Sequence, residues 1–121
     1  MTANQLIACA PNRAVLAREI AMVGGEHDKR HNHPWHQVIY PRKGMLRTKV
    51  EMKHYFVPRN RAVVIPAGCD HESWAITETE FTGIYINPSV VNCPIDHCKF
   101  IEVSSLLREL MIETVKIATC D

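Results

Sequence analysis

"HNHPWHQ", residues 31–37, sets three histidines and a glutamine within one short segment. In an extended chain, alternate side chains share a face. That parity puts His31, His33 and Gln37 on one side and His36 on the other. Far along the chain, His71 follows the "PAG" turn at 66–68 and opens another β-like run. A closed sheet brings His71 opposite the first group. Nitrogen and oxygen donors of this kind suit a borderline divalent ion such as zinc, nickel, iron or copper. The same side chains could instead line a wet, metal-free pocket, since buried polar groups need partners of some kind.

Outward from this stretch the pattern is β-like on both sides. "AVLAREIAMV" (14–23) precedes it and "HQVIYP" (36–41) leaves it, stopping at "PRKG". "LRTKVEM" alternates, with Leu46, Thr48, Val50 and Met52 on one side and Arg47, Lys49 and Glu51 on the other. That is the period of a half-buried strand. "HYFVP", "RAVVIPAG", "HESWAIT" and "FTGIYIN" follow as further short runs, broken by turn residues at the spacing of an all-β sandwich or barrel. After Asn87-Pro88 the period changes. Leu106, Leu107, Leu110, Met111, Val115 and Ala118 recur at helical spacing, with Ser104 or Ser105 as N-cap. The chain therefore reads as roughly eight strands and one amphipathic helix.

At 121 residues the chain has room for one core. A net charge of +1 excludes the electrostatic footprint of a nucleic-acid-binding module. No apolar run reaches the ~20 residues a membrane helix needs, and the first residues lack the pattern of a signal peptide. The five cysteines form no CxxC pair. Cys93 and Cys98 around His97 are a weak zinc pattern against ordinary thiols. Free thiols without an export signal point to a reducing cytoplasm.

The chain resembles the cupin family. Its first motif matches at Gly25, His31, His33, Gln37 and Gly44, with Gln37 in the place of a glutamate. Its second matches at Pro66, Gly68 and His71, with Asn60 replacing the first glycine and Ala75 the last asparagine. A narrower resemblance runs from about Ala14 to Val115. "HPWHQVIYPRKGMLRTKV", "YFVPRNRAVVIPAGCDHESWAI" and "TGIYINPSVV" look like the N-terminal cupin domain of AraC-type transcription regulators. "VSSLLRELMIETV" looks like the helix leading towards their DNA-binding half.

The resemblance implies a mainly β fold, a cupin double-stranded β-helix (jelly-roll barrel) followed by a C-terminal α-helix. Residues 1–103 form the sensor barrel with a short N-terminal arm, and 104–121 the dimerisation and linker helix. The helix-turn-helix domain is absent from this chain. Such a domain binds a small-molecule effector, pairs as a homodimer through its helix, and reaches DNA only through that further domain. The metal-capable group is His31, His33, Gln37 and His71, for one divalent transition metal. Trp35, His36, Tyr40, Trp74 and Tyr85 are candidate pocket residues, since aromatic side chains are common in ligand pockets. Leu106, Leu110, Met111 and Val115 are candidates for the dimer face. No catalytic residue is expected. The alternative is a small stand-alone metal-dependent cupin enzyme, a dioxygenase or isomerase, using the three histidines.

Overall fold

The structure, a computed structural model, describes residues 2–119. Cys120, the last of the five thiols, and Asp121 at the end of the linker segment lie outside the described residues. Two antiparallel sheets face each other. One contains β1 (Val15–Met22), β8 (Thr79–Ile86), β3 (His36–Lys43), β6 (Arg61–Ile65) and β9 (Lys99–Glu102), in that order. The other contains β2 (His27–His31), β7 (His71–Ala75), β4 (Met45–Val50) and β5 (Lys53–Pro58). A short helix α1 (Ala3–Cys9) precedes the barrel and α2 (Ser105–Ala118) follows it.

The alternation along each strand sorts side chains into three packed layers. Between the sheets, Met22, Ile39, Val63, Ile65 and Phe81 of the larger sheet meet Leu46, Val50, Val57 and Ala75 of the smaller. On the outer face of the larger sheet, Ala17, Tyr40, Ala62 and Ile84 are covered by Met111 and Ala118 of α2. At one end of the barrel, Ala3, Leu6 and Ile7 of α1 pack on Leu16, Trp35 and Tyr85.

The fold is the expected one, with local differences. Met52 does not continue the buried stripe of β4. It sits in the β4–β5 turn and is 86% exposed, because Glu51 takes a left-handed conformation (φ 55°) and ends the strand. β3 runs on through Pro41 to Lys43. Proline is tolerated there because β6 pairs only with Gln37–Ile39, so that edge asks no N–H of Pro41. Gly44 closes the β3–β4 turn at φ 82°, where a Cβ would overlap the carbonyl oxygen of Glu78. Asn60, which replaces a motif glycine, adopts φ 79°, and asparagine is among the few side chains that accept this region.

Ser104 is the N-cap of α2, its hydroxyl accepting from Leu107 N at 3.1 Å. α1 was legible in principle. Thr2 and Gln5 form a capping box, each side chain accepting from the other's backbone N–H.

Candidate functional site

The "HNHPWHQ" segment is not one strand. His31 ends β2, residues 32–35 turn a corner between the sheets, and His36 opens β3. The corner is stitched to the 66–70 loop that delivers His71. The Gly68 N–H donates to the His33 carbonyl at 2.9 Å, and the Ala67 N–H donates to His36 Nδ1 at 2.9 Å. Asn32 Nδ2 donates to Asp70 at 2.7 Å. His31 and His71 are then direct cross-strand partners.

The result is a compact group. The ring centroids of His31 and His71 are 4.4 Å apart, and those of His33 and His71 5.1 Å. One ring nitrogen from each of His31, His33 and His71 lies within 4.8 Å of the others. The tautomers follow from the backbone. Nδ1 of His31 faces the Lys29 carbonyl at 2.6 Å, Nδ1 of His33 the Trp35 carbonyl at 2.8 Å, and Nδ1 of His71 the Cys69 carbonyl at 3.0 Å. A carbonyl oxygen only accepts, so each Nδ1 carries the proton and each neutral ring keeps its lone pair on Nε2. Nε2 of His71 is buried with no hydrogen-bond partner among the described residues, an orphan of the kind a ligand or metal satisfies.

Burial holds two of these rings neutral. Desolvation lowers His33, outweighing its hydrogen bonds to Gln37 and Trp35. It pushes His71 from the ordinary 6.5 down to about 4, helped by its neighbours His31 and His33. Gln37 stands beside the group, its Oε1 2.8 Å from His33 Nε2. Its Nε2 is 3.4 Å from the Tyr85 hydroxyl, which accepts from Arg18 Nε at 2.9 Å. With His33 neutral, half a turn of the Gln37 amide completes the chain. Its N–H then donates to His33, and its oxygen accepts from Tyr85. Beside His31 opens a cavity of about 590 Å³, lined by Thr2, by Ala3 and Asn4 of α1, by Arg18, Ile20 and Met22 of β1, and by residues 26–31.

The other candidates distribute by sheet parity. Tyr85 is inside the barrel, fully buried against His33 (centroids 5.4 Å). Trp35 packs under α1. Tyr40 lies beneath α2. His36 is buried and pairs across from Ile86, outward of the interior. Trp74 lies on the outer face of the smaller sheet, stacked on His27 (4.6 Å, 2° between planes) with Arg47 4.1 Å from its ring centroid. Of the helix residues, Met111 and Val115 pack on the chain's own barrel, while Leu106 and Leu110 are 72% and 55% exposed. His97 pairs with Asp96 at 2.7 Å. Among the described residues the only group with metal-holding geometry is His31, His33 and His71. Arg18 is not among the sequence candidates. Its signal is a charge inside the otherwise apolar inward stripe Leu16, Ile20 and Met22.

This architecture is that of the cupins. An RmlC-like cupin from Shewanella frigidimarina superposes with a TM-score of 0.59 at 20% identity, covering 62% of this chain and 68% of that one. A tryptophan-to-tyrosine variant of oxalate decarboxylase from Bacillus subtilis superposes with a TM-score of 0.58 at 16% identity, covering 72% and 25%. At such identities the likeness shows the fold alone. Residues 14–93 match the AraC-like ligand binding domain, and the chain belongs to that family. It is also 33% identical over 82 residues to the HTH-type transcriptional regulator NimR of Escherichia coli, spanning 68% of this chain but only 30% of that relative.

Proposed function

We propose that this chain is the effector-sensing part of an AraC-type transcription regulator that works in the cytoplasm, with its effector bound in the barrel cavity. The observation that carries this reading is the cavity itself. It is polar at one wall, apolar at another, and bordered by α1, which packs on the barrel end. The route outward is short. Arg18 faces the cavity, and its neighbour Ala17 packs beneath Met111 and Ala118 of α2. The α1–β1 connection also grips the far end of that helix, Arg13 Nη2 donating to the Ile117 carbonyl at 3.2 Å. A ligand that favours one placement of α1 and β1 therefore biases α2, as differential affinity requires. The exposed stripe of Leu106, Leu110 and Ile117 (77% exposed) suits a homodimer. DNA is reached through a separate helix-turn-helix domain.

The three histidines fit a divalent transition metal: Nδ1 atoms anchored on backbone carbonyls, one ring nitrogen of each within 4.8 Å of the others, and a His71 Nε2 left without a partner among the described residues are the features such a site needs. When bound, it would supply a Lewis-acidic anchor for an effector's oxygen or nitrogen. The same triad favours the second reading, a metal-dependent cupin enzyme, which turnover of a bound compound by the metal-loaded protein would establish.

The test of the sensing role is a broad small-molecule panel read by native mass spectrometry, on the wild type and on Ile20→Trp, which fills the cavity. A compound bound by the wild type and expelled by the variant is expected. A panel with no binder, or a binder indifferent to Ile20→Trp, contradicts the reading. For the dimer, Leu110→Asp should convert the wild-type dimer to monomer in sedimentation velocity; an unchanged sedimentation coefficient removes that interface.

A further inference from the structure

His31 faces into the barrel because β2 carries an irregularity. His27 faces out and stacks on Trp74, its cross-strand partner. Asp28 lies opposite Ser73, which shares the inner face of β7 with Ala75. Strict alternation from His27 turns Lys29 and His31 outward as well. The register then shifts. Asp28 pairs with Ser73 and His31 with His71, so β2 advances three residues where β7 advances two. That is the count of a β-bulge, which adds a residue to one strand and re-aims the side chains beyond it. It reverses the parity of His31 and brings its ring centroid to 4.4 Å from that of His71.

A bulge also interrupts the ladder. The end of β2 is fixed by a side chain instead. Asp70 stands immediately before His71 in the chain. One of its carboxylate oxygens accepts from Arg30 Nη2 at 2.6 Å, and the other from Asn32 Nδ2 at 2.7 Å. Arg30 and Asn32 are the two chain neighbours of His31. A single carboxylate therefore straddles His31 while its own backbone leads into His71. Asp70 is held in turn, its carbonyl accepting from the Glu51 N–H of the β4–β5 turn at 2.9 Å. The two arms differ in weight. The Arg30 side chain is 70% exposed, where an ion pair contributes little. Asn32 opens the corner that carries His33, and Asn4 of α1 donates to its carbonyl at 3.0 Å. The Asn32 arm is the one that locates the histidines.

We infer that Asp70 is the positioning residue of the histidine group. It is not one of the metal-capable side chains. It acts through His31, setting the distance to His71 by clamping both neighbours of the bulged ring. The consequence for a metal rests on the proposed reading of the three histidines as its site, whereas the clamp itself is a property of the protein alone.

Two measurements on the full chain test it. In metal-free protein, nuclear Overhauser contacts between the His31 and His71 rings should be present in the wild type and lost in Asp70→Ala and Asn32→Ala. They should persist in Glu72→Gln, since Glu72 follows His71 but pairs with His27 on the outer face. With zinc as probe in a chelator competition, Asp70→Ala should weaken binding about 10- to 100-fold, as the loss of a group that orients a ligand does. Arg30→Ala should weaken it less than about threefold. In a His31→Ala background, Asp70→Ala should change zinc affinity less than about twofold, because its effect runs through His31. A merely structural residue would lower affinity there too. Asp70→Asn keeps an acceptor for only one arm and should give an intermediate loss, which serves if the alanine variant fails to fold. Ring contacts absent from the wild type, or persisting in Asp70→Ala, overturn the inference. So does a zinc affinity that Asp70→Ala leaves unchanged. The two readings fail separately: a wild type that binds no zinc but loses its His31–His71 contact in Asp70→Ala removes the metal and keeps the clamp.

Discussion

The same small sheet carries histidines on both faces, and the two sets behave differently. Inside, His31 of β2 and His71 of β7 meet His33 at the corner. Each is pinned by a backbone carbonyl, and His33 and His71 are each only 2% exposed. Outside, His27 of the same β2 stacks on Trp74 of the same β7. Its Nε2 is spent on Glu72 at 2.8 Å, with 38% of its side chain exposed. Residue type does not distinguish the sets. The difference is parity plus anchoring. The inner rings sit on backbone anchors with ring nitrogens close to one another, His33 Nε2 resting against Gln37 and His71 Nε2 without a partner among the described residues, whereas the outer ring is occupied by Glu72.

The largest separation between the faces should appear in metal affinity. With zinc as probe in a chelator competition, His71→Ala or His33→Ala should weaken binding by more than about 100-fold, since each removes a direct ligand. His27→Ala should change it less than twofold. Equal losses inside and outside would break the comparison.

Acid stability comes next. His71 is lowered from 6.5 to about 4 in the folded chain, so below pH 6.5 the unfolded chain binds the proton more readily. Its contribution is whole above pH 6.5 and is lost as pH falls towards 4. The loss is on the order of 3 kcal/mol at most, read by urea unfolding of metal-free protein at pH 7, 5.5 and 4. His71→Leu should flatten that slope and His27→Ala should not. A wild type equally stable at pH 7 and pH 4 contradicts a neutral buried His71.

The smallest effect belongs to the outer face. Trp74→Ala removes the Arg47 contact and the His27 stack. It should lower stability by about 1 kcal/mol and leave zinc affinity unchanged. A change in zinc affinity there would mean that the two faces are coupled.

Much of this contrast is legible in the sequence. The alternation of Leu46, Thr48 and Val50 fixes the inner side of β4, and the spacing of His31, His33, Gln37 and His71 marks the inner group. Parity gives the convergence itself for the wrong reason. The segment reads as one extended strand, whereas it bends between two sheets, and the bend is held by the Gly68 and Ala67 contacts from a distant loop. Contacts of that kind are invisible in a local pattern. The aromatic candidates show the same limit. Trp35, Tyr40 and Trp74 have the composition of a pocket, but α1, α2 and the outer sheet face claim them. The helix stripe hides a division too: Met111 and Val115 cover the barrel, whereas Leu106 and Leu110 do not.

The most direct measurement is the tautomer of each histidine in metal-free protein at pH 7, from long-range nitrogen–proton NMR correlations, followed by one equivalent of zinc. The account predicts neutral Nδ1–H rings at His33 and His71, with zinc moving the ring-nitrogen signals of His31, His33 and His71 and leaving His27 in place. Nε2–H rings at His33 or His71, or zinc shifts centred on other histidines, would contradict the claim that the three rings form one metal-capable group inside the barrel.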